Sequence, residues 1–149
     1  ESLDVIDWAL NINDPEDWKR SNQSKKASVL IETNDNEFKH HLDRYKYSKR
    51  YDNEDPIVHR EKCLVFIDAL EEQLKISKFL HDEKVSALDI SILPFIRQFR
   101  IADIDWFDSL NKPKIQSWLM NFLESELFKG IMFKYEKWEE SDEKVFFPN

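Results

Sequence analysis

The sequence predicts an all-α protein, a single-domain helical bundle, on three observations. From Ala87 to Ile96 the only hydrogen-bonding side chains are Asp89 and Ser91. A helix apolar on nearly every side belongs inside a bundle, not on its surface. The chain has one glycine in 149 residues, too few for the turns of a β-rich domain or for a phosphate-cradling loop. Elsewhere apolar residues keep helical spacing. Cys63, Ile67, Leu70 and Leu74 follow i, i+4, i+7 and i+11 along one seam.

The helix starts and stops divide the chain. Leu3, Ile6 and Leu10 share one face of a short first helix, with Ser2 as a plausible N-cap. Asn11 to Pro15 ends it, and Asp14-Pro15 is expected to open another short turn. A helix is expected over 22–31, broken by the Thr33-Asn34-Asp35-Asn36 cluster of turn formers. It resumes at Glu37 and runs to about Tyr47, with Phe38, Leu42 and Tyr45 in register. Asp55-Pro56 caps the long helix that carries the seam and ends near Ser77. Ser86 and Asp89 then have the spacing of a capping box, flanked by Val85 and Ile90 as a hydrophobic staple. Pro94 interrupts the donor ladder of that helix and predicts a kink. Asp105 is expected to cap a turn bearing Trp106 and Phe107. Pro113 opens a helix with Ile115, Trp118, Leu119 and Phe122 on one face. A last short helix follows over 125–132, and the apolar Val145-Phe146-Phe147-Pro148 is expected to dock.

Composition removes several classes of function. A hydrophobic fraction of 41% is enough for a packed core and argues against disorder. A formal net charge of −8 disfavours general binding to nucleic acid or anionic membrane. No run of about eighteen apolar residues is present, so no helix is expected to span a bilayer. No signal peptide is visible. Cys63 is the only cysteine, which forbids an intramolecular disulfide and suits a reducing compartment. The chain starts with Glu1 in what reads as mid-domain sequence, so a fragment of a longer protein is expected.

Two constellations invite chemistry. The run KHHLDRYKYSKRY over 39–51 interleaves basic residues with three tyrosines. Such a run can grip nucleic acid, line a pocket for an anionic small molecule, or form a solvated face with the tyrosines turned inward. The histidines suggest metal, but His40 and His41 point about 100° apart on a helix. His59 and Cys63 supply only two ligands, short of the four a structural zinc wants. No metal is expected. Cys63 falls on the apolar seam, where a thiol is inert packing.

Ser86-x-x-Asp89 opening a buried helix, with Pro94 five residues after the aspartate, resembles the core helix of the glutathione S-transferase C-terminal domain. Glu1-Ser2 ahead of Leu3-Asp4-Val5-Ile6 resembles the Glu/Gln-Ser motif of that family's thioredoxin-like domain. The long helix before the core helix and the Pro113 to Trp118 segment extend the likeness over essentially the whole chain. The resemblance implies that residues 1–11 are the remnant last helix of an N-terminal thioredoxin-like domain, and 12–149 the helical domain.

It further implies that Glu1 and Ser2 bind the γ-glutamyl carboxylate of glutathione, the serine hydroxyl and helix N-terminus forming an anion site. Arg44, Tyr45 and Tyr47 would border the cleft of the second substrate, while Ser86 and Asp89 are structural. No catalytic residue is implied in this chain, because the thiol-activating Tyr, Ser or Cys of the family lies in the segment before Glu1. The implied parent is a cytoplasmic homodimer, a glutathione-dependent transferase or thiol–disulfide reductase. Its co-substrate is glutathione, and its second substrate a small electrophile or a disulfide. The chain alone would be inactive, supplying the electrophile-side wall of the cleft and dimer contacts. The alternative is a non-catalytic protein-interaction module, since domains of this fold are attached to translation factors and tRNA synthetases. A Cys-Pro or Tyr/Ser motif upstream would separate the two.

Overall fold

The computed structural model describes residues 2–132, 134, 137 and 139. Among the described residues eight α-helices follow in order: α1 (Ser2–Ile12), α2 (Lys25–Thr33), α3 (Lys39–Lys46), α4 (Pro56–Ile76), α5 (Ala87–Ala102), α6 (Ile104–Ser109), α7 (Pro113–Leu123) and α8 (Glu126–Ile131). Short 3₁₀ turns fill Trp18–Ser21 and Ser48–Arg50. No strand occurs among the described residues.

The apolar helix sits where its composition requires. α5 packs against α2, α3, α6, α7 and the Trp18–Ser21 turn. Leu88, Ile92, Ile96 and Phe99 along it are at most 1% exposed. The seam of α4 is also closed, with Cys63, Ile67, Leu70 and Leu74 all buried against α3 and α7. Phe99 is an aromatic hub. The rings of Phe38, Tyr45, Trp106 and Phe107 meet it at 5.6–6.0 Å, mostly edge to face, the geometry favoured by ring quadrupoles.

The start of α5 is fastened through Asp89, which is fully buried. Its carboxylate accepts the Ser86 amide at 3.0 Å and the Ser86 hydroxyl at 2.8 Å. It also accepts the Leu80 amide at 2.9 Å and the Trp118 indole N–H at 3.0 Å. The capping box is therefore present, and the same carboxylate ties the α4–α5 loop and α7 to the core helix. α5 continues through Pro94 to Ala102.

Two expectations are overturned. The Thr33–Asn36 cluster does not break the helix. Residues Asn34–Phe38 form a π-turn that joins α2 to α3 without a loop. Phe38, 1% exposed between the rings of Phe66 and Phe99, anchors that turn. No proline or glycine intervenes, so packing outweighs local turn propensity. Asp105 is also not the cap of α6. Asp103 holds that place and accepts the Trp106 amide at 3.1 Å. Asp14 accepts the amides of Trp18 and Lys19 at 2.7 and 2.9 Å, but Asp17 holds the N-cap position of that turn and makes no side-chain cap bond. The expected docking of residues 145–148 lies outside the described residues.

Candidate functional site

Two of the hollows that could receive a ligand lie on one side of α5, along α1, the π-turn and α3, and another, of about 540 Å³, is lined by Leu10, Trp18, Phe79, Val85 and Phe122. α1 touches the bundle through the Trp18–Ser21 turn. Ser2, expected as its N-cap, is its first helical residue and is exposed. Glu1, its expected partner in an anion site, lies outside the described residues. Ser2, Leu3 and Ile6 edge a hollow of about 180 Å³ that reaches in to Asn34 and to Pro94 on α5.

The basic, tyrosine-rich run sorts into two faces of α3. Arg44 and Tyr47 line an open cleft of about 470 Å³ with Lys39, Lys46 and Phe95. Tyr45 points elsewhere, packing edge-on against Phe99 inside the bundle. Burial pushes its hydroxyl pKa up. The cleft and the smaller hollow share Asp35, Phe95 and Gln98 as common wall. Ser2, Arg44 and Tyr47 thus lie on adjoining hollows, while Tyr45 does not.

The cations of the cleft already have partners. Arg44 binds Glu54 at 2.9 Å and stacks on Tyr51 at 4.6 Å. Lys46 donates to Gln98 at 3.0 Å and lies over the Tyr47 ring at 4.9 Å. Lys39 lies 3.4 Å from Asp35 and above Phe95. An anion entering here exchanges existing contacts for new ones, so the cleft offers adjustable cations rather than bare charge.

The histidines gather next to this cleft. His41 Nδ1 is 2.8 Å from His59 Nδ1, and His59 Nε2 is 2.8 Å from Glu54. His40 stands 4.9 Å from His41, ring to ring, and contacts Arg44. Glu54 fixes the proton of His59 on Nε2, which leaves Nδ1 to accept from His41. Burial, reinforced by His40, His59, Lys62 and Arg44, pulls the His41 pKa down. Among the described residues no group of three His, Cys, Asp or Glu side chains is arranged to hold a metal ion. The Cys63 thiol faces the Phe38 carbonyl at 3.9 Å. Burial pushes its pKa up to about 12, so it stays a thiol at neutral pH.

Sequence reasoning did not find the histidine pair, because its members are 18 residues apart on separate helices. It also passed over Asn34, whose polar cluster reads as surface turn.

No family model matches the chain, and no curated protein matches it. Among solved structures it is similar to the crystal structure of a glutathione S-transferase from Pseudomonas fluorescens. The TM-score is 0.64 over 85% of this chain, at 13% identity. The fold is that of a glutathione S-transferase C-terminal helical domain. The chain spans 64% of the matched structure, just under two thirds. At this identity the likeness carries the glutathione S-transferase-like fold and no chemistry by itself.

Proposed function

We propose that this chain is the C-terminal domain of a glutathione S-transferase-like protein. Residues 1–11 are read as the last helix of a thioredoxin-like domain and 12–149 as the helical domain. The observation that carries this reading beyond the fold is the outer face of α1. Val5, Trp8 and Ile12 are 61%, 65% and 68% exposed. They follow i, i+3 and i+7, a helical stripe of the kind that packs beneath another layer. A preceding domain laid on that stripe gives α1 its second side and makes the adjoining hollows an interdomain cleft.

In the parent, Ser2 and the amino end of α1 hold the γ-glutamyl carboxylate of glutathione, together with Glu1. The preceding domain lowers the glutathione thiol pKa. The thiolate then attacks an electrophilic carbon, expelling its leaving group, or one sulfur of a disulfide, expelling the other as thiolate. Arg44 and Tyr47 form the second-substrate wall. Tyr45 supports them from behind, through the Phe99 cluster. The parent is a cytoplasmic homodimer, and this chain supplies dimer contacts but no thiol-activating group.

Glutathione-affinity chromatography tests the reading. The full-length protein is expected to be retained and eluted by free glutathione, whereas the 149-residue chain passes through. Firm retention of the chain alone overturns the assignment of the missing site. Ser2→Ala in the full-length protein should weaken retention by about tenfold, the worth of one hydrogen bond to a charged group.

A further inference from the structure

The π-turn leaves one polar atom without a partner. Asn34 is 2% exposed. Its Nδ2 donates to Asp35 at 3.0 Å, while its Oδ1 accepts no hydrogen bond among the described residues. It is the only buried side-chain oxygen or nitrogen among them in that state. Native interiors rarely leave such a group empty, and each instance asks for an occupant.

Asn34 lines the hollow of about 180 Å³ described above. The rest of that wall is chiefly hydrocarbon and ring: Leu3, Ile6, Ile31, Ile90, Pro94 and Phe95. Its other polar groups are largely committed. The Ser91 hydroxyl donates to the Ala87 carbonyl at 2.7 Å, and Gln98 Oε1 accepts from Lys46. Asp35 already takes Asn34 and Lys39. Pro94 has no N–H, so the Ile90 carbonyl on the same wall lacks its usual i+4 donor. Ser2 is exposed and Gln98 half-buried, so the buried side-chain deficit of the hollow is an acceptor, Asn34 Oδ1. A fitting ligand therefore brings a donor.

Size and polarity narrow the class. An enclosed apolar cavity of about 150 Å³ holds one benzene ring. An ion entering would have to shed its water among isoleucines and phenylalanine, which excludes strongly charged ligands.

We propose that this hollow binds a small neutral aromatic ring carrying one O–H or N–H donor, of the phenol or indole kind. The ring packs between α1, the π-turn and the Pro94 segment of α5, with its donor on Asn34 Oδ1. Ser2, which the glutathione reading uses, only edges this hollow, and the contact on Asn34 Oδ1 is made by this chain alone.

The test uses the 149-residue chain without glutathione. Phenol is titrated beside anisole, which has the same ring with its donor methylated, and amide and methyl NMR shifts are followed. Phenol is expected to shift Ile31, Asn34, Ile90 and Phe95 and to bind at least about tenfold more tightly than anisole, the worth of one hydrogen bond in such a pocket. Asn34→Leu should bring the two ligands to within about twofold of each other. The phenol–anisole comparison on the unaltered chain stands even if that variant folds poorly. Equal binding of phenol and anisole, shifts confined to another surface, or no binding up to the solubility limit of phenol overturns the proposal and leaves the orphan acceptor to an internal water.

Discussion

Among the described residues two carboxylates are withdrawn from water, and they do one job by different routes. Asp89 receives four donors, two from Ser86 three residues before it and two from distant segments. Glu71, 3% exposed on α4, receives two, the amides of Lys114 at 3.2 Å and Ile115 at 2.8 Å. Both satisfy free N–H groups at a helix start, where the helix dipole also favours negative charge. α5 carries its cap in its own first turn. α7 has none, for Lys112 at its N-cap position makes no side-chain cap bond, and α4 lends it one. A buried charge is thus tolerated where several backbone donors converge on it.

The sharpest way to break this comparison is to remove each acceptor. Asp89→Ala orphans two backbone amides, a serine hydroxyl and an indole N–H in the centre of the fold. The expected loss is about 3–5 kcal/mol, measured by urea unfolding with the slope unchanged. A loss below about 1 kcal/mol would show that the clasp at α5 is ornamental. Glu71→Ala orphans two amides at the end of one helix, and about 1–3 kcal/mol is expected. Glu71→Gln should recover part of that loss, since an amide oxygen still accepts. If Glu71→Ala costs as much as Asp89→Ala, donor number does not set the worth of a buried carboxylate here.

The difference in route also explains what could be read before the structure. Ser86 and Asp89 lie within one turn and next to an apolar run, so their pairing is visible as spacing. Glu71 bonds residues 43 and 44 positions away, and as one acid among many on a charged helix it carries no local mark. The buried seam of α4 and the apolar α5 were legible because burial imposes a period. The Thr33–Asn36 cluster misled because its turn propensity is local, whereas the anchor of Phe38 between Phe66 and Phe99 is not. The candidate site divides the same way. Arg44 and Tyr47 stand out in a basic, tyrosine-rich run, but only the packing turns Tyr45 inward. The orphan oxygen of Asn34 follows from a π-turn that residue types do not announce.

A weaker long-range tie extends the comparison to the surface. Arg20 holds Asp82 through two bonds of 2.8 Å and reaches the Lys84 carbonyl, joining the Trp18–Ser21 turn to the α4–α5 loop. Asp82 is partly exposed, so solvent screens this pair, and Arg20→Ala should cost about 1 kcal/mol or less. Arg20 draws the Asp82 pKa well below the usual carboxylate range. Its contribution is therefore complete above the ordinary value of 3.8 and lost as pH falls below it. Urea midpoints of Arg20→Ala and the parent chain should draw together as pH falls from 4 to 2, with part of the difference seen at pH 7 still present at pH 2. A constant gap would mean that Arg20 acts through packing alone.

The smallest effect comes from the pair that reverses the logic of the carboxylates. Asp89 and Glu71 hold their donors as acceptors. His41 and His59 can share one proton across 2.8 Å, but not two. His41 also faces His40, Lys62 and Arg44, with Glu54 beyond His59 as the nearby anion. Its pKa is held below the ordinary 6.5, so the unfolded chain takes up its proton first. Stability is then unaffected above about pH 7 and declines as pH falls through 6.5. This window lies above that of Asp82, which separates the two effects. His41→Gln keeps a donor for His59 and removes the titration. The slope of stability against pH between 6.5 and 5 should be shallower in that variant than in the parent chain, where one proton contributes at most about 1.4 kcal/mol per pH unit. Parallel slopes would assign the acid sensitivity to other groups.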